Sequence, residues 1–165
     1  IYSWMEKMDI ERKYLVKDDT YKRNATAQTR NVQGFLNTHP ERTVRVRIKG
    51  DNGYLTVKGL GNKSGTSRFE WEIEIQVTEA TALMDICEPI ILEKTRYNVP
   101  SGAHVFEVDE ITGKNQGLVI AEIELDYEDE PFTKPEWLGD EVTGQIKYYN
   151  SQLSVKPFNQ WKEQN

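Results

Sequence analysis

Arg45-Val46-Arg47-Ile48-Lys49 constrains this chain more than any other stretch. β-Branched residues at every second position favour a strand, and strand side chains alternate between two faces. One face is then wholly cationic, and the other, with Val44, Val46 and Ile48, wholly apolar. A single such strand is ordinary, because a half-buried antiparallel strand turns its charges to water. Here the pattern recurs, with runs of one sign along several strands. Arg68, Glu70, Glu72 and Glu74 alternate with Phe69, Trp71, Ile73 and Ile75. Thr56 and Lys58 alternate with Leu55 and Val57, Lys94 shares a face with Arg96, and Glu122 and Glu124 oppose Ala121, Ile123 and Leu125. Asp9, Glu11 and Lys13 share a face with Ile10 behind them, the two carboxylates about 6.5–7 Å apart.

Two arrangements remain open on this pattern. The charges can face water over a sandwich core, or they can face one another. Like charges stacked along a face repel unless something of opposite sign lies between them. A polyanion with divalent cations satisfies both sets, since Arg and Lys bind phosphate oxygens and clustered carboxylates bind hard cations such as Mg²⁺ or Mn²⁺. Two cations bridging phosphate oxygens stabilise an in-line phosphoryl displacement.

The other elements follow in order. A strand over about Met8 to Val16 leads into a polar stretch, Lys17 to Arg30, with weak helical tendency at Tyr21 to Ala27. Val32 to Leu36 reads as a short strand, and Thr43 to Lys49 and Tyr54 to Lys58 as a hairpin turned at Gly50 to Gly53 on the Asn-Gly pair. Ser67 to Val77 is a strand, and Thr78 caps a helix that runs to about Cys87 before Pro89. Strands at Ile91 to Val99, Val105 to Ile111 and Leu118 to Tyr127 precede an acidic link, Glu128 to Pro135. From Asp140 the chain reads as helical segments carrying Val142, Ile146, Tyr149 and Leu153. Hairpin-connected strands, about eight of them, make an antiparallel barrel or a strongly curled sheet.

Composition narrows the function. The 165 residues suit one domain, 1–165, and 37% hydrophobic content with four Trp, eight Tyr and five Phe supplies a core. A net charge of −6 and a pI near 5.1 argue against nucleic acid as partner. The single cysteine, Cys87, excludes an internal disulfide and reads as a packing residue of its helix, which suits a cytoplasmic protein. No run of 18 apolar residues offers a membrane span. Ile1 to Lys7 lack a signal-peptide core, and Met5 and Met8 are candidate native starts. His39 and His104 read as loop or surface residues, Gly59 to Gly65 as a hairpin loop lacking the Lys-Ser/Thr ending of a phosphate loop, and Trp4, Trp137 and Trp161 as packing or interface residues.

The ordered motifs resemble the CYTH proteins, also called triphosphate tunnel metalloenzymes. That family's hallmark is Glu-x-Glu-x-Lys on its first strand, matched here by Asp9-Ile10-Glu11-Arg12-Lys13. Further matches follow in one order along the chain. They are Thr43 to Arg47, Leu55 to Gly59, Arg68 to Glu72, Lys94 to Tyr97, Gly117 to Leu125, Trp137-Leu138-Gly139 and Glu141-Val142-Thr143. The resemblance implies a mainly β (α+β) fold, an eight-stranded antiparallel tunnel with charged interior, open ends and helices packed outside. It implies metal-dependent hydrolysis of inorganic triphosphate. ATP cyclisation, hydrolysis of thiamine or nucleoside triphosphates, and polyphosphate binding without turnover are the alternatives. The partner implied is a triphosphate-containing small molecule, with Mg²⁺ or Mn²⁺ as cofactor, and a homodimer is left open.

By the same resemblance Asp9, Glu11, Glu122 and Glu124 hold metal, and Glu70, Glu72 and Asp109 hold a second metal or orient water. Lys13, Arg45, Arg47, Lys58, Lys94 and Arg96 hold phosphates, and Lys147 closes over the site from the C-terminal segment. Glu11, Lys13, Glu72, Lys94 and Arg96 carry the catalytic roles. Arg68, Glu74, Lys49 and Glu107 rank lower, near strand ends where water is an alternative partner. Asp9 departs from the family's Glu and reaches about 1.3–1.5 Å less far, which puts metal preference at issue.

Overall fold

The computed structural model describes residues 8–164. Nine strands are present among them: β1 (Met8–Val16), β2 (Ala27–Asn37), β3 (Arg42–Lys49), β4 (Asn52–Gly61), β5 (Ser67–Ile75), β6 (Leu92–Ser101), β7 (His104–Ile111), β8 (Val119–Glu124) and β9 (Leu138–Glu141). Helix α1 (Val77–Met84) follows β5, and a single turn, α2 (Asn150–Leu153), lies near the end. Every pairing is antiparallel, in the order β5-β4-β3-β2-β6-β7-β8-β1, and β1 pairs β5 to close an eight-stranded barrel.

The closing seam explains the ninth strand. β5 covers only Met8 to Ile10 of β1. Farther along the same edge β9 pairs Tyr14 and Val16 of β1 with Glu141 and Leu138. Between them Thr66 accepts the Glu11 N–H, while the Val142 N–H donates to Lys13 O and Thr143 Oγ1 accepts the Lys13 N–H. The Glu141-Val142-Thr143 segment therefore belongs to a strand end stitched to β1, where the sequence suggests a helix. An unpaired barrel edge costs more than the helical preference of those few residues returns.

Other boundaries shift for local reasons. β2 starts at Ala27, inside the stretch read as polar and unpatterned, because both its edges are occupied, by β3 and by β6. The β3–β4 turn is Gly50-Asp51, two residues before Asn52-Gly53, with Lys49 opposite Asn52. Gly50 has φ +57°, the conformation that a two-residue turn with glycine first requires. Gln76, not Thr78, caps α1, its backbone N–H donating to the Glu79 carboxylate in a capping box.

Outward-facing residues pack in two ways. Against β1, β6, β7 and β8 the cover is mostly extended chain. A short 3₁₀ turn at Thr20–Asn24, the acidic link and the residues just after it bring Tyr21, Phe132 and Trp137 onto Tyr14, Phe106, Val108 and Ile123. Against β2–β4 the cover is α1, seated by glycines. A Cβ on Gly34 would lie 2.7 Å from Met84 Sδ and 2.9 Å from Cys87 Cβ. Gly34→Val therefore overpacks this seam, with an expected loss of about 1–3 kcal/mol. A thermal melt checks it, and an unchanged melting temperature contradicts the close approach. Outside β5 the cover is thinner, with Ile73 and Leu60 exposed.

The inner face is not uniformly charged. Leu15, Phe35, Leu92, Ile111, Leu118 and Ile120 hold the same alternation as Lys13, Gln33, Lys94, Asp109 and Glu122, and so point inward at one end of the barrel. They form one apolar cluster with Val142, Tyr148, Leu153 and Phe158 of the C-terminal segment. This end of the tunnel is filled, contrary to the expectation of two open ends.

Candidate active site

Above that apolar plug lies a cavity of about 230 Å³. Among the described residues its lining holds seven cations (Lys13, Arg45, Arg47, Lys49, Lys58, Arg68 and Arg96) and seven carboxylates (Asp9, Glu11, Glu70, Glu72, Glu107, Glu122 and Glu124). The wall is formally neutral, so a triphosphate entering without a cation would leave the site with several uncompensated negative charges. Lys49, Arg68 and Glu107, ranked low from sequence, belong to the lining, whereas Glu74 is exposed.

Cross-strand register produces the ion pairs. Lys58, opposite Glu70, reaches Glu70 at 3.2 Å, Asp9 at 3.1 Å and Glu11 at 4.0 Å. Burial alone would lower its pKa, but Glu11, Asp9 and Glu70 outweigh burial and raise it. Glu72 Oε2 accepts from Thr56 Oγ1 at 2.6 Å and stands 3.4 and 3.5 Å from Nη2 of Arg45 and Arg47. Burial, then the neighbouring Arg45 charge, pull Arg47 down to about 10. Lys13 stands 3.6 Å from Glu122 and 5.6 Å from the Tyr149 ring centroid.

The acidic wall is strained in the opposite sense. Glu11 faces Glu124 in register, and Glu107 faces Glu122. Burial first, then the Glu122 and Asp9 charges, push Glu11 well above the ordinary carboxylate range. Burial, Glu107 and Asp9 raise Glu124. Glu122 moves the other way: burial would raise it, but Lys13, Arg96 and Lys94 hold it low. The cations near Glu11 thus fall short of offsetting its burial and its acidic neighbours, Glu124 is raised by the same causes, and the hard oxygen donors of both suit a divalent ion that would supply the missing charge. Among the described residues no three His, Cys, Asp or Glu side chains converge as a ready-made metal cage. A cation held by one or two carboxylates and by substrate phosphates does not need one.

Asp109, Lys94 and Lys147 stand apart from the lining. Asp109 is 2% exposed and fully engaged, with Arg96 Nε at 2.8 Å, Arg96 Nη2 at 2.9 Å and Lys94 Nζ at 2.7 Å. Its carboxylate is spent on orienting two cations. Lys94 is buried beside it, and burial, partly opposed by Asp109, pulls its ammonium down to about 8. Lys147 is exposed and lies over the rings of Tyr148 and Trp161, outside the cavity. What the C-terminal segment brings to the lining is Tyr149, Asn150 and Ser151. Tyr149 lies 5.1 Å under the Arg68 guanidinium, and the segment is anchored where Gly144 meets Gly65 so closely that a Cβ on Gly65 would fall 2.3 Å from Gly144 Cα. Both glycines have positive φ, at +77° and +74°. Sequence reasoning missed these three residues because their role depends on a chain reversal that no periodicity marks. The paired glycines at 65 and 144 were the available signal.

Residues 7–154 match the CYTH domain family. The chain is 45% identical to the inorganic triphosphatase of Acetivibrio thermocellus, covering 94% of this chain and 98% of that protein. It is 36% identical to the inorganic triphosphatase of Nitrosomonas europaea, over 89% and 97%. A solved structure of an inorganic triphosphatase superposes with a TM-score of 0.63 at 31% identity, covering 89% of this chain and 94% of that one.

Proposed function

The chain belongs to the CYTH family, and on that footing we propose that it hydrolyses inorganic triphosphate to diphosphate and phosphate with a divalent cation, Mg²⁺ or Mn²⁺. The observation that carries the reading is the cavity wall itself, in which cations of β3, β4 and β6 face carboxylates of β1, β5 and β8 across a space of about 230 Å³. That volume is below the ~300 Å³ at which pockets for drug-sized organic ligands begin, which favours a bare phosphate chain over a nucleotide.

Roles follow from the contacts. Arg45, Arg47, Lys58, Lys13 and Arg96 bind non-bridging phosphate oxygens. Arg45 and Arg47 hold Glu72 only at 3.4 and 3.5 Å, so they can shift to a phosphoryl group at little cost. The fork that Asp109 fixes on Arg96 leaves Nη1, now on Glu107 at 2.9 Å, aimed at the cavity. Asp9, Glu11, Glu122 and Glu124, with Glu70, hold the cation. When bound, it screens phosphate charge and polarises the phosphoanhydride being cleaved. Glu72 Oε2, steadied by Thr56, accepts a proton of the attacking water and orients it along the line of displacement. The arginines then stabilise the charge that develops on the departing diphosphate. Lys94 and Asp109 serve this geometry from behind, and Lys147 has no part in it. No helix among the described residues is long and apolar enough to cross a membrane. We place the enzyme in the cytoplasm, with a free thiol at Cys87.

The test is phosphate release from tripolyphosphate, ATP and thiamine triphosphate with Mg²⁺, Mn²⁺ or Ca²⁺. Expected is one phosphate and one diphosphate per tripolyphosphate with Mg²⁺ or Mn²⁺, at a kcat/KM well above that for ATP, and no cyclic AMP. Failure to cleave tripolyphosphate with any of these cations, or a preference for ATP, would sink the reading.

A further inference from the structure

Strand β2 contributes to the inner wall something that the ion pairs do not use. Its inward residues Asn31 and Gln33 are completely buried. Among the described residues, neither the amide nitrogen nor the amide oxygen of either one has a hydrogen-bond partner. Folded proteins satisfy nearly all such atoms, because each buried one left alone is destabilising. Two consecutive inward positions of one strand break that rule together.

Register identifies the neighbours. Gln33 lies opposite Arg47 of β3, and Asn31 lies opposite Lys49 of β3 and Lys94 of β6. A neutral amide column thus separates two cationic columns. Arg47 Nε is also buried without a partner, and the Arg47 guanidinium is held by a carboxylate only at 3.5 Å. Directly opposed side chains have Cβ atoms about 4.5–5.5 Å apart, so the Gln33 amide is within reach of Arg47 Nε.

Each alternative side chain at these positions would harm phosphate binding. A carboxylate would pair with Arg47 and cancel the charge that attracts phosphate. A third cation would add repulsion, and a hydrocarbon would offer Nε no acceptor to turn to when the guanidinium moves. An amide accepts a hydrogen bond through its oxygen and brings no charge.

We propose that Gln33, and Asn31 on the β6 side, are positioning residues for triphosphate cleavage. The Gln33 amide oxygen holds Arg47 in place without neutralising it when phosphate draws the guanidinium away from Glu72, and Asn31 adds an uncharged acceptor beside Lys94, which Asp109 already holds. This rests on the triphosphatase reading above. The cost of burying unpaired amides in the free protein is retained because it keeps the cationic wall available to substrate.

Gln33→Met, of similar length and without hydrogen bonds, separates this role from a structural one. Removal of an unpaired buried amide should leave the melting temperature unchanged or higher. KM for tripolyphosphate should nevertheless rise about tenfold to a hundredfold, the value of a hydrogen bond to a charged group, with kcat changed less. The Kd for tripolyphosphate, titrated calorimetrically with Ca²⁺ or whichever cation supports least turnover, should rise in parallel. Gln33→Glu, which places a charge against Arg47, should weaken binding further, and Asn31→Leu repeats the comparison toward Lys94. The proposal is overturned if Gln33→Met leaves KM and Kd within twofold of the parent, or if stability and activity fall together, as a purely structural amide requires. Should the parent protein bind tripolyphosphate without cleaving it, the hydrolase reading fails while the Kd comparison still decides the role of Gln33.

Discussion

Glu11→Gln is expected to abolish turnover while making the metal-free protein more stable. The two effects have one cause. Glu11 lies opposite Glu124 and near Asp9 and Glu122, and the cations near it, Lys58 at 4.0 Å and Lys13, do not offset burial and those charges. Burial and those like charges raise its pKa well above the ordinary carboxylate range. A carboxyl whose pKa is higher in the folded than in the unfolded chain favours folding in its protonated form. Below its unfolded pKa it is protonated in both states and costs nothing. As pH rises from there through the folded pKa, the penalty for ionising it in the fold accumulates, and at neutral pH it is present. Glutamine keeps the shape and removes the charge, so the variant should melt higher than the parent at pH 7 in metal-free buffer, and the difference should close on acidification below about pH 4. Adding Mg²⁺ or Mn²⁺ should stabilise the parent more than the variant, because the cation binds the folded state through the carboxylate that the variant lacks. Activity should fall about 100-fold or more, since even the outer partners of metal ligands are worth ~10–100-fold. Equal metal-induced shifts in the melting temperatures of the two proteins would remove Glu11 from the cation site.

Much of this site was legible because a strand's period of two makes a charged face visible without any knowledge of what it faces. Arg45, Arg47, Lys58, Glu70, Glu72, Glu122 and Glu124 could be assigned to one surface from spacing alone, and cross-strand register brings them together in the cavity. Stacked like charges left the sense of that surface open between water and one another; the family resemblance implied the inward sense, and the closed barrel agrees with it. What was not legible shares a different property. Asn31 and Gln33 are neutral, so no charge points to them, and β2 is polar on both sides at Gln28 to Asn31, so hydropathy marks only its second half, from Val32, as a strand. Tyr149 to Ser151 reach the lining only because β9 returns the chain to β1 and Gly144 packs on Gly65. Lys147 and Asp109 show the converse limit. Their charge suggested a place at the substrate, but side-chain direction sends Lys147 to the aromatic pair Tyr148 and Trp161, and Arg96 and Lys94 absorb Asp109. Residue type and parity fix a face; which charge on that face remains free is decided by pairing across strands.

Asp109→Ala should be the most destabilising single change in the barrel. The Asp109 carboxylate makes a two-pronged contact with Arg96 and a 2.7 Å contact with Lys94, and Lys94 is 1% exposed. Truncation leaves Glu107 for Arg96 but strands the Lys94 ammonium in a low-dielectric setting with no other carboxylate among the described residues within salt-bridge distance. Breaking a buried pair in this way costs about 3–5 kcal/mol, and for a chain of this size a melting temperature falls by roughly 2–4 °C per kcal/mol. The loss should depend on pH with a predictable sign. In the parent, burial already lowers Lys94 to about 8, with Asp109 opposing the shift. Without Asp109 the folded pKa drops further, while the unfolded lysine keeps its ordinary value. Below the folded pKa the lysine is charged in both states and the full penalty applies. Between the folded and unfolded values the folded protein sheds the proton and recovers stability as pH rises. Melts from pH 6 to pH 9 should therefore show the variant approaching the parent at the alkaline end. Lys94→Met placed on Asp109→Ala should recover much of the loss, because it removes the stranded charge while keeping the volume. A deficit independent of pH, or a double variant no better than the single one, would mean that Asp109 matters for its hydrogen bonds to Arg96 rather than for the charge on Lys94.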